Sequence, residues 1–68
     1  MSPDEYRAAI ERLGMSQIAA ARLLGVDART SGRWACGERD IPPPAARFLR
    51  YLVATRKTGE QAMRMLGD

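Results

Sequence analysis

Arg29 and Arg33 stand four residues apart, beside two residues with almost no side chain, Ala28 and Gly32. A guanidinium is a planar fork of donors that fits a guanine edge or a phosphate with two bonds at once. On a helix, residues four apart share a face. Small neighbours let that backbone approach a surface closely while the arginines reach past it. Val26, Thr30, Ser31 and Trp34 fall on the other face by 3.6-residue spacing. Trp34 is therefore expected in the core rather than as a platform for a stacked base. Other chemistry is poorly supplied. The chain has no His and one Cys. It has no Gly-rich phosphate loop with Lys, and no Ser or Cys beside an evident base. No enzyme, metal site, intramolecular disulfide or cofactor is expected from such a set. Cys36 is expected as a reduced, partly buried thiol.

A pair of arginines acts as a reading device only if its helix is mounted proud of the protein. The residues before it supply the mount. Ser16 is a good N-cap, and Ala20 and Ala21 are small enough for a second helix to cross closely. Leu23 and Leu24 close this helix, 16–24. Gly25 falls where a left-handed residue ends a helix at no steric cost. Val26 plugs the core from the turn. Asp27 caps the next helix, 28–36, and its charge suits the positive end of that helix. Gly37 ends it. Residues 16–36 thus read as a helix-turn-helix, a unit that presents its second helix to a DNA major groove.

The flanks read as further helices. Ser2 caps a first helix over 3–13, with Pro3 at its first position, Glu5 completing a capping box, and Tyr6, Ile10 and Leu13 as its apolar stripe. Pro42-Pro43-Pro44 is a stiff corner that opens a helix over 44–56, with Ala45, Phe48, Leu49 and Leu52 inward. Thr58 to Gln61 is a second capping box, starting a short helix over 59–66 with Ala62, Met63 and Leu66 inward. Strand signals, repeats and low-complexity segments are absent.

The stretch resembles the helix-turn-helix of the phage Cro and repressor family and its small bacterial relatives. The matching residues are Ser16-Gln17, Ala21, Leu24-Gly25-Val26, Arg29-Thr30, Arg33-Trp34 and Gly37, with Tyr6, Leu13-Gly14, Glu38-Arg39 and Ile41-Pro42 around them. The resemblance spans residues 3 to 53. It implies an all-α, five-helix, lambda-repressor-like DNA-binding domain over 1–68. It implies that Gln17 meets a phosphate and braces the next helix, and that the family's pairing through its C-terminal part applies here. The chain departs from the pattern at Ala20, where a larger aliphatic is usual, and at Ser31, where Val or Ile is usual. Gly32 inside the recognition helix costs about 1 kcal/mol relative to Ala, and Ala35-Cys36 replaces an acidic-polar pair.

Composition is consistent with this reading. The 68 residues carry ten Arg and one Lys against eight acids, a net charge of +3, with 46% hydrophobic residues. Residues 1–40 are neutral overall, so the excess lies in 41–68. So short a chain buries only about 60% of its extended surface, which favours dimerisation. The polar, acidic N-terminus has no signal-peptide pattern, and no apolar run reaches transmembrane length, so a cytoplasmic location is expected. The candidate DNA-facing set is Ser16, Gln17, Asp27, Ala28, Arg29, Thr30, Gly32, Arg33 and Arg39, the last as a phosphate contact in the following loop. Phe48, Tyr51, Met63 and Met65 are candidate dimer contacts. The function expected is sequence-specific binding of an inverted-repeat operator by a homodimeric transcriptional regulator, of repressor type. The alternative is a DNA-binding antitoxin or protein-interaction module acting with a partner protein, which a neighbouring toxin gene would favour.

Overall fold

Local side-chain caps set most of the helix starts. The computed structural model describes residues 1–67, among which five helices and no strand are found. They are α1 (Pro3–Arg12), α2 (Gln17–Leu24), α3 (Ala28–Cys36), α4 (Pro43–Ala54) and α5 (Gly59–Met65). The Ser2 hydroxyl accepts from the Glu5 N–H at 3.1 Å, Ser16 from the Ala19 N–H at 3.1 Å, and Asp27 from the Thr30 N–H at 2.7 Å. Thr58 and Gln61 form a full reciprocal box, at 3.1 and 2.9 Å. Each bond satisfies a first-turn donor that the helix itself cannot. The start of α4 has no side-chain cap. Prolines 43 and 44 make one less necessary, because neither has an N–H to satisfy.

Several boundaries and faces differ from the sequence expectation. α1 ends at Arg12 with Leu13 as its C-cap, α4 runs from Pro43 to Ala54, and α5 stops at Met65. The capping box at Ser2 is only half built around its own helix. The Glu5 carboxylate takes two bonds from Arg50 of α4, at 3.0 and 3.1 Å, so it ties two helices together. In α4 the buried face is Ala46, Leu49 and Leu52, while Ala45 and Phe48 are half-buried. Leu66 points outward at 54% exposure, contrary to its expected inward place. A seven-residue helix whose buried residues are Gly59 and Ala62 leaves its last turn in solvent.

The core joins all five helices: Tyr6, Ile10 and Leu13 from and just after α1, Ala20 and Leu23 from α2, Trp34 and Ala35 from α3, Leu49 and Leu52 from α4, and Ala62 from α5. Ala20 and Ala21 are fully buried where α2 and α3 pack, as their small size requires. At Gly25 the backbone is left-handed (φ 73°), which turns the chain between those two helices. α5 is anchored by the Gly59 N–H, which donates to the Leu13 carbonyl at 2.8 Å. A Cβ at Gly59 would collide with the Met15 side chain, so only glycine lets α5 approach this closely.

Candidate nucleic-acid interface

Helix α3 is fixed to the rest of the molecule from behind. Trp34 is 3% exposed, and its ring meets Tyr6 edge-on at 5.8 Å between centroids and 81° between planes. The Ser31 hydroxyl is fully buried and bonds the Tyr6 hydroxyl at 2.6 Å. Ser31 thus belongs to a matched polar pair inside the core. Burial raises the Tyr6 phenol above its usual value, and the bond to Ser31 offsets only part of that shift. The Arg7 guanidinium of α1 donates to the Ala35 carbonyl near the end of α3 and pairs with Asp4. Sequence reasoning missed Tyr6–Ser31 and Arg7–Ala35, because residues 25 and 28 positions apart carry no local signal of contact.

The front of α3 carries the arginines. Ala28 and Arg29 are exposed, while Gly32 and Arg33 are half-buried. Among the described residues, Arg29, Arg33 and Arg39 take part in no ion pair. Arg39 is exposed in the link after α3. Gln17, the first residue of α2, is brought over the middle of α3. Its amide oxygen lies 3.7 Å from where a Cβ on Gly32 would be. Gln17, Arg29, Gly32 and Arg33 therefore come together as one surface. Ser16 stands at its edge. Its hydroxyl oxygen accepts from Ala19, which leaves the O–H free to donate.

Two members of the expected set also serve the start of α3 itself. The Asp27 carboxylate caps α3; the Thr30 amide and hydroxyl hold it below the usual carboxylate range, with a smaller contribution from Arg29 and Arg33. Thr30 is half-buried behind it. Asp27 thus orders the start of α3. Cys36 is exposed, not partly buried, and its thiol donates to the Arg33 carbonyl at 3.6 Å. It follows the buried pair Trp34 and Ala35, and the helix turns it out to solvent.

The candidate dimer contacts differ in exposure and surroundings. Phe48 is half-buried against the core and lines an apolar cleft with Leu24, Val26 and Leu66. Met63 borders a different depression, with Ala19, Arg22 and Glu60. Tyr51 and Met65 are 55% and 60% exposed, and Ile18, at 64%, joins them as an exposed large apolar side chain that the expectation left out. No helix is long and apolar enough to cross a membrane among the described residues. Compared with protein-family models, with curated proteins and with solved structures, the chain matches none.

Proposed function

We propose that this chain is a sequence-specific binder of double-stranded DNA that inserts α3 into the major groove. In this reading α2, the turn at Gly25 and α3 are a helix-turn-helix in a lambda-repressor-like domain, and the protein regulates transcription, as a repressor, in the form of a homodimer. One observation carries the reading: among the described residues Arg29 and Arg33 are in no ion pair, on either side of Gly32 in α3, with the Gln17 amide laid over that glycine. Two guanidinium groups beside a bare stretch of helix backbone can reach past a surface that the backbone itself approaches closely. A groove filled with guanine edges and flanked by phosphates gives both features a use. In this reading Gln17, Ser16 and Arg39 contact phosphates and set the position of the helix, while Arg29 and Arg33 reach base edges.

Selection of bound duplexes from a random pool tests this. The expected product is an inverted repeat with G·C pairs at fixed places in each half. Recovery of no enriched motif at moderate salt would defeat the reading.

A further inference from the structure

We propose that a second site exists, at the far ends of α1 and α4, for a small ligand bearing two or more phosphoryl groups, of the nucleoside diphosphate class. An open cleft of about 500 Å³ lies there, lined by Arg12, Leu13, Val53, Arg56, Lys57 and Thr58. None of these residues belongs to α2 or α3, so the cleft is separate from the proposed DNA surface. Its volume is within the usual range of small-molecule sites. Three of its six residues are cations and none is an acid. Among the described residues, Arg12, Arg56 and Lys57 are in no ion pair. The Thr58 hydroxyl accepts from the Gln61 N–H and keeps its own proton to donate. Leu13 and Val53 give the cleft an apolar floor on which the non-phosphate part of a ligand can rest.

The backbone supplies an independent observation. Each helix is followed closely by a residue with a left-handed backbone. After α1, α2, α3 and α5 these are Gly14, Gly25, Gly37 and Gly67; after α4 it is Arg56, at φ 59°. The Arg56 N–H donates to the Val53 carbonyl at 3.1 Å and the Lys57 N–H to the Leu52 carbonyl at 3.1 Å, which is the usual glycine-terminated helix ending with arginine in the glycine slot. A left-handed backbone strains any L side chain, and such strain gathers at functional sites. A cation near a helix C-terminus complements the dipole, but lysine or arginine one turn earlier would do so without this strain. The strained residue, Arg56, lines the cleft together with Arg12 and Lys57. Two phosphoryl groups carry about the charge that these three cations offer, and a concave floor suits a small molecule better than the convex backbone of a duplex.

The test is a titration of the full chain with pyrophosphate and with ADP at fixed ionic strength, read by amide shifts in two-dimensional NMR. Saturable shifts are expected at Arg12 and at Arg56 to Thr58. Arg56→Gly should weaken binding about tenfold, the loss of one charge-assisted contact, while the melting temperature does not fall, because glycine accepts the left-handed backbone. Arg47→Ala removes an exposed arginine outside the cleft and should leave binding within about twofold. Three outcomes overturn the proposal: no saturation by either probe, an equal loss in Arg47→Ala and Arg56→Gly, or an Arg56→Gly effect on duplex DNA alone. Failure here leaves the pool selection untouched, since none of the α3 arginines is involved.

Discussion

At the residue scale, the buried Tyr6–Ser31 bond and the free arginines of α3 make opposite demands on the chain. Ser31 is fully buried, so its hydroxyl needs the Tyr6 partner 2.6 Å away. Tyr6→Phe or Ser31→Ala alone leaves one polar group unsatisfied and should destabilise by about 1–3 kcal/mol. The double variant should cost less than the sum, and chemical denaturation of all four proteins gives the coupling. The raised Tyr6 phenol also has a pH signature. The folded state keeps the proton that the unfolded chain releases near pH 10, so the contribution of Tyr6 is complete below that pH and is lost as pH rises through the folded value. Tyr6→Phe should therefore show a shallower fall in stability above about pH 10. The arginines act on binding instead. Arg29→Ala or Arg33→Ala should cost about 1–3 kcal/mol and relax preference at one position of the site. Arg39→Ala should weaken every sequence alike and flatten the salt dependence by about one unit of slope. Fluorescence anisotropy across a salt series separates the two behaviours, and unchanged affinity in both α3 variants would sink the assignment of that face.

At the element scale, α3 combines a strong start with a weak middle. Asp27 caps it, Gly37 ends it, and Trp34 and Ala35 hold it to the core. Gly32 lies in its interior with ordinary helical backbone, and a Cβ there would meet only the Gln17 amide, at 3.7 Å. That is normal van der Waals contact, so nothing in the packing forbids alanine. Gly32→Ala should stabilise the free protein, by up to about 1 kcal/mol, by lowering the entropy cost of the helix. It should also weaken operator binding if the bare backbone is what lets α3 approach the groove. Thermal melts and anisotropy on one preparation check both parts. A rise in stability with no loss of affinity would show that the glycine serves neither.

At the scale of the whole molecule, a globule of 29 × 22 × 19 Å carries one copy of α3, which under the proposed function could read only a few base pairs. A pair of chains related by a two-fold axis doubles that readout and fixes the half-site centres about 34 Å apart. Native mass spectrometry of the complex should give two chains per selected duplex. One chain on an asymmetric site would revive the partner-protein alternative. Of the residues proposed for pairing, Tyr51 and Met65 are exposed, whereas Phe48 lines a cleft with Leu24 and Val26. Substitution of Tyr51 with Glu should reduce pairing more than Met63→Glu if Tyr51 lies at the contact, and sedentation of the two variants on DNA by analytical ultracentrifugation distinguishes them.

Features that depend on neighbours within a few positions were legible in the chain. The caps at Ser2, Ser16, Asp27 and Thr58, the turn at Gly25 and the inward place of Trp34 follow from local hydrogen bonds, φ preference and helical period, and the structure has them. Contacts between residues far apart in the chain came only with the packed fold. Glu5 finds Arg50 rather than completing its own cap, Ser31 finds Tyr6, and Arg7 finds the end of α3. The packed fold also decided small rotations: Ala46 rather than Ala45 faces the core, Cys36 and Leu66 face solvent, and Arg33 is half-covered. A helical period fixes which residues share a face, but not the angle at which that face meets its neighbours. That angle is set by how all five helices fill one core, and no single stretch of the chain contains it.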